Sequence, residues 1–343
     1  MAMGWKVGKG LNKAVKKQRV EGFPNPQTFI AQVSEINAVE VYQYPDGVEE
    51  KVLREISFDV RRGESWGIVG SEAFEIELLL EIIGSVRPYS SGRCILAERG
   101  MMRKKRRILP HVFFIADGDV TFPNMNTLEY LMFATANTHL SAAERQVDIL
   151  QRLLDTDLYY LALVPIRFLS RAQKAVICLL AASFTKALLV IFSVTQLEFD
   201  IRLAKGIRGI ADIISQRGGA LLIGTKDCNM VQKACTHTAF LISGRVENKG
   251  TMEDMLARLD KRIYVVTCKD PQSLSEKLMK LDPALKAIVY DHDLHIYDYR
   301  EVPVSQLDFL ELVIKTGEPI ESLQTSKKTL ANAFREVLSG HDL

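Results

Sequence analysis

The sequence predicts an α/β protein: a largely parallel sheet in its first two thirds and a small α+β unit behind it. Three observations predict this. Residues 187–192 and 219–225 are short apolar runs without polar alternation, the texture of strands buried on both faces. Helical stretches fall between such runs, and strands alternating with helices argue for a parallel sheet. Ser65–Gly70 leads through a short loop into a helical stretch at 76–83, the strand, glycine, loop, helix order of a phosphate-binding unit.

In chain order, residues 1–34 form a basic N-terminal extension. Its first 20 residues carry Lys6, Lys9, Lys13, Lys16, Lys17 and Arg19 without an acid, and Gly22-Phe23-Pro24-Asn25-Pro26, which breaks any helix, follows. It reads as a solvated tail, or as a basic helix on anionic lipid with only a weak stripe of Trp5, Val7, Leu11 and Val15. Residues 35–250 hold the core. Strands are expected at 38–42 and 51–60, with a turn at Arg61-Arg62-Gly63-Glu64, and a hairpin at 238–246. Helices are expected at 128–136, 142–154, 170–183 and 201–216. Residues 251–343 form the accessory unit, with strands at 262–268, 287–291 and 294–299 and helices at 271–281, 305–316 and 330–338.

Composition excludes several classes. The chain has 343 residues, 47% of them hydrophobic, which is ordinary globular composition. A net charge of +2 gives no global drive toward nucleic acid. The longest uncharged apolar runs, 175–185 and 187–197, are about half of what a bilayer-spanning helix needs. The first 30 residues lack a continuous apolar core, so no secretory signal is expected. Five scattered Cys without CxxC spacing argue against a disulfide framework or zinc site.

Leu53-Arg54-Glu55-Ile56-Ser57-Phe58, Arg62-Gly63-Glu64 and Gly67-Ile68-Val69-Gly70-Ser71 fall in order with Arg87-Pro88-Tyr89-Ser90-Ser91-Gly92, residues 122–131 and Leu169-Ser170-Arg171-Ala172-Gln173. This succession resembles the nucleotide-binding subunit of ABC transporters. The resemblance implies an ABC-type, P-loop NTPase-like core with a mixed sheet, plus a small C-terminal α+β domain. The tail ending Leu330-Ala331-Asn332-Ala333-Phe334 resembles that of the drug- and polysaccharide-export branch.

The residues that carry the family's chemistry are replaced. A working phosphate loop reads GxxGxGK[ST]: its glycines let backbone N–H groups close on the phosphates, its Lys neutralises charge, and its hydroxyl holds Mg²⁺. Here the stretch is Gly70-Ser71-Glu72-Ala73-Phe74-Glu75-Ile76-Glu77, and the Lys position falls at Glu75 or Ile76. Residues 63–86 contain no basic side chain and five acids, Glu64, Glu72, Glu75, Glu77 and Glu81. A carboxylate about 4 Å from a phosphate costs on the order of 1–4 kcal/mol per charge pair. The strand implied to end in Asp-Glu ends in Phe192-Ser193, and Ser193 is no general base. The switch His is Lys226, the Gln-loop Gln falls at Asp117, and the signature keeps Ser170 and Gln173 but carries Arg171 and Ala172. Tyr42 or Tyr44 could stack on adenine or be strand packing, and Asp200 could face a dimer seam.

The expectation is therefore a catalytically degenerate subunit with no catalytic residue and no resident metal. ATP and Mg²⁺ would bind only weakly, or at a composite site completed by a partner. The resemblance implies an intact ABC ATPase paralogue and a membrane permease as partners, docking on helices around 118–165, and a peripheral place on the inner face of the membrane. A soluble scaffold on the same fold, or an ATPase with a rearranged site, are the other readings. The basic run Arg103-Lys104-Lys105-Arg106-Arg107 reads as a solvated turn, and His292 and His295 as the surface of a hairpin.

Overall fold

The computed structural model describes residues 29–41, 49–96, 99–100, 111–116, 122–138, 140–257, 262–290, 292–298, 300, 304–326 and 329–341. Tyr42, Tyr44, Asp117, the basic run at 103–107 and the basic residues of the N-terminal extension lie outside them.

The centre of the core is a six-stranded mixed sheet in the order β10-β9-β3-β8-β7-β6. Its strands are β3 (Ser65–Gly70), β6 (Val112–Ile115), β7 (Leu189–Ser193), β8 (Ala220–Thr225), β9 (His237–Ile242) and β10 (Arg245–Thr251). All neighbours are parallel except β9 and β10. β3, β7 and β8 are buried at every position, which is why no polar alternation marks them.

Side chains alternate between two apolar layers. Trp66, Ile68, Ile191, Leu222 and Leu241 face helix α1 (Ala73–Ile83) and a second, antiparallel sheet. That sheet runs β2 (Glu49–Arg61), β1 (Phe29–Val41), β4 (Ser91–Leu96), β5 (Arg99–Gly100). Val69, Val190, Phe192, Ile223 and Phe240 face the opposite layer. It comprises α2 (Thr127–Ala134), α3 (Ala142–Asp155), α4 (Arg171–Ser183), α5 (Ile201–Gln216) and α6 (Cys228–Ala234).

The accessory unit follows α7 (Met252–Ala257). It runs β11 (Arg262–Cys268), α8 (Pro271–Leu281), β12 (Leu285–Tyr290), β13 (Asp293–Asp298), α9 (Gln306–Lys315), β14 (Ile320–Ser326). The sheet order β12-β13-β11-β14 makes this a split βαβ, ferredoxin-like arrangement. One face of the sheet packs on α8 and α9 through Tyr264, Leu294 and Ile296, and Tyr264 stacks on Phe309 at 3.9 Å. On the other face Ile263 and Tyr297 join the core cluster with α10 (Leu330–His341). Phe334 meets Phe240 edge-on at 5.2 Å, tying α10 to β9.

The structure differs from expectation in several places. β1 starts at Phe29, so the boundary placed between residues 34 and 35 falls inside a strand. Bulges around Glu35, whose φ is 50°, break the alternation that would have marked it. β4 and β6 were not expected. Nor was β14, an edge strand with few apolar residues. His295 is buried, not on a hairpin surface.

Candidate functional site

Parallel register brings three of the sequence-marked positions to one edge. Ile68 pairs with Gly224 and Val69 with Thr225, while Ser193 pairs with Gly224. Gly70, Ser193 and Lys226 therefore stand at the carboxyl ends of β3, β7 and β8, where open α/β sheets hold their ligands.

What occupies this edge is carbon. Only Ser71 and Glu72 separate β3 from α1, because the helix begins at Ala73. The residues that would wrap a phosphate are inside the helix. Ile76, one of the two candidate Lys positions, is fully buried. A Cβ at Gly70 would lie 3.1 Å from Ile76 Cγ1, and one at Gly224 would lie 2.6 Å from Ile76 Cγ2. Ile76 thus plugs the space between the ends of β3 and β8. The other candidate position, Glu75, is partly exposed in the first turn of α1.

The acids divide into groups. Glu64 sits at the opposite end of β3, where it accepts hydrogen bonds from Trp66 Nε1 and Arg61 N at 2.8 Å. Glu81 pairs with Arg87 at 2.8 Å. Only Glu72, Glu75 and Glu77 remain by the loop, so the electrostatic penalty expected from five acids is reduced and steric filling weighs more. Glu72 is the N-cap residue of α1 without a side-chain cap bond, and Glu75 lies in the first turn. Carboxylates there interact favourably with the positive end of the helix dipole, by about 0.3–1 kcal/mol each. They supply the charge that a bound phosphate would otherwise supply.

Glu77 accepts a short hydrogen bond from the hydroxyl of buried Thr195. Thr195 lies two residues beyond Ser193, so this bond ties α1 directly to the loop after β7. Thr195 was not singled out from sequence; its only signal was its offset from the strand end. Phe192 is fully buried and packs on Phe199 at 6.2 Å. Val194 N donates to Gly224 O at 2.9 Å, closing the same edge. Asp227 caps α6 through Met230 N at 2.9 Å, and its neighbour Lys226 is exposed.

The signature residues lie away from this edge, at the start of α4. Ser170 and Gln173 form a capping box: Gln173 N donates to Ser170 Oγ at 3.1 Å and Ser170 N to Gln173 Oε1 at 2.9 Å. Ala172 is buried and Arg171 exposed. Asp200 caps α5 through Leu203 N at 2.8 Å.

No thiol is poised for chemistry. Burial pushes Cys94, Cys228 and Cys235 up to about 12. Among the described residues there is no cluster of His, Cys, Asp and Glu that could hold a metal ion. Their helices include none long and apolar enough to cross a membrane.

A feature beyond the motifs is apolar exposure around α2 and α3. Phe133, Val147, Leu154, Leu163 and Phe168 are all more than half exposed. Their exposure could not be read from sequence, because apolar residues at these positions look like core.

No protein-family model matches the sequence, and no curated protein matches it. Solved structures do. The chain is 21% identical to cbiO1 from Clostridium perfringens, part of the ABC transporter complex cbiONQ, with a TM-score of 0.54 over 67% of this chain and 91% of that one. It is 15% identical to the ATP-binding cassette MJ0796 in its dimeric, post-hydrolysis state with ADP and Pi, with a TM-score of 0.51 over 65% and 98% of the two chains. For MJ1267, an ATP-binding cassette of an ABC transporter in its ADP conformation, the values are 15%, 0.52, 67% and 95%. The core therefore has the fold of ABC ATP-binding cassettes, with the accessory unit added to it.

Proposed function

We propose that this chain is a catalytically degenerate ABC-type subunit of a membrane export complex. It pairs with an intact ATPase paralogue and a permease, on the inner face of the membrane, and does not hydrolyse ATP itself. The observation that carries the reading is Ile76: a buried aliphatic side chain fills the space where the ammonium and phosphates of a working site would meet. The two-residue loop and the Glu77–Thr195 bond favour the same reading. β7 ends in Phe192 and Ser193, which offer neither a carboxylate for Mg²⁺ nor a general base at that strand end.

The intact partner would supply Lys, Asp and Glu at the one composite site. This chain would offer its signature segment across the seam. Ser170 and Gln173 are already engaged with each other in the capping box, so their contribution would be a fixed helix start rather than free hydrogen-bonding groups. The exposed apolar residues around α2 and α3 suit a cytoplasmic element of the permease, because covering apolar side chains removes them from water.

Two experiments test this. Affinity purification of the tagged full chain from membranes should bring down a polytopic protein and an ATPase with a complete GxxGxGK[ST] loop. Recovery of the chain alone would favour the reading as a soluble scaffold. Titration of the purified chain with ATP and Mg²⁺ should show no saturable binding up to millimolar nucleotide. Micromolar binding with Mg²⁺-dependent turnover abolished by Ser193→Ala would establish a rearranged ATPase instead.

A further inference from the structure

The two edges of the accessory sheet are finished differently. β12 carries Lys286 within the strand, a charge of the kind that guards an edge against pairing. β14 pairs with β11 on one side, and among the described residues no strand covers the other. Its register with β11 is regular from Ser322 to Ser326, after a shift at Ile320. The stretch Ser322-Leu323-Gln324-Thr325-Ser326 contains no charge and no Pro. Alternate main-chain groups of a strand point away from its neighbour, so this edge presents N–H and C=O groups that water or another strand must match.

A second feature lies above the same edge. α8 packs over β12 and β13, whereas α9 lies over β11, where Phe309 stacks on Tyr264. The side of α9 away from α8 therefore overhangs β14. Phe309 and Val313 are fully buried, and Leu312 is partly buried in the cluster that holds Leu274 and Leu278 of α8. Helical spacing puts Leu307, Leu310 and Ile314 in one stripe on the flank opposite Leu312. Leu307 is 75% and Ile314 64% exposed, so an apolar stripe faces water beside an unpaired strand.

We propose that β14 pairs antiparallel with β14 of a second copy of this chain, about a two-fold axis at Leu323. The two accessory sheets become one continuous sheet, and the α9 stripes of the two copies cover each other across the axis. The strand suits its own copy. In this register Leu323 faces Leu323, Ser322 faces Gln324, and Glu321, the one charged residue of β14, faces Thr325, so no like charges are opposed. Leu323 and Thr325 lie opposite Val266 and Tyr264, on the α9 face of the sheet, so the Leu323 pair sits beneath the two helices. A two-fold contact of this kind is closed and stops at two copies. It uses no residue of α4 or of the β3, β7 and β8 ends, so it stands or falls independently of an ATPase or permease partner.

Sedimentation velocity of the purified full chain tests this. One edge strand and one helix flank per copy make an interface at the small end of specific contacts, so the chain should pass from monomer to dimer between about 1 and 100 µM. Leu307→Glu combined with Ile314→Glu should weaken the dimer by about tenfold or more. Both side chains are more than half exposed, so the thermal melt of the dilute protein should not change. Thr325→Glu sets carboxylates against each other on both sides of the axis and should weaken the dimer severalfold. Adding Glu321→Lys to Thr325→Glu should restore it. A chain that stays monomeric to the top of that concentration range overturns the proposal. So does a dimer indifferent to the α9 substitutions and to Thr325→Glu, because such a dimer is held elsewhere.

Discussion

The loop before α1 and the turn before α4, the two segments compared with ligand-binding motifs in the sequence, are built in opposite ways. At α1 the contacts are apolar: the loop is two residues long and Ile76 occupies the space above Gly70 and Gly224. At α4 the polar geometry persists, with Ser170 and Gln173 capping the helix through two backbone bonds. The difference lies in what each group does for the fold. A glycine-rich cradle and a buried ammonium stabilise nothing when no phosphate is bound; they cost conformational entropy and desolvation. A helix cap is worth about 1 kcal/mol with or without ligand.

Substitutions at the two segments can break or sharpen that contrast. Ile76→Ala should have the largest effect, lowering stability by about 2–4 kcal/mol in urea unfolding, as for other buried aliphatic truncations. A loss below about 1 kcal/mol would mean that the edge is loosely packed and that the plug is no replacement for a ligand. Glu77→Gln weakens the charge-assisted bond from Thr195 and should cost about 1–2 kcal/mol by the same measurement, with Thr195→Val giving a similar, non-additive loss. Additive losses would show that the two residues do not act as a pair. Ser170→Ala should cost about 1 kcal/mol and leave any nucleotide titration of the isolated chain unchanged. A change in nucleotide affinity would mean that the signature segment has kept more than a cap. Smallest of all, Glu72→Gln should cost a few tenths of a kcal/mol, a loss that shrinks as salt screens the helix dipole.

Much of this was legible in the sequence. The uniform burial of β7 and β8 showed as unbroken apolar runs, and the absence of any Lys or Arg across 63–86 already spoke against phosphate at α1. The charge argument itself was cruder than the structure. Glu64 serves Trp66 and the Arg61 backbone at the far end of β3, and Glu81 serves Arg87, so neither faces the loop. The first strand began earlier than expected, because the bulge around Glu35 shifts the period of two within it. Thr195, the partner of Glu77, is 118 residues distant in the chain, and no local pattern joins them.

The sequence by itself determined the fold class, the buried strands β3, β7 and β8 and the absence of a basic side chain across 63–86, because these depend on local periodicity and on which side chains are present. The tertiary structure decided that Ile76 rather than Glu75 takes the inward position, that the Tyr297 hydroxyl and His295 Nδ1 are buried without hydrogen-bond partners, and that α10 packs against the core through Phe334 and Phe240. Each of these depends on which faces meet across elements far apart in the chain, and that is set by packing, which no spacing of residues along one segment encodes.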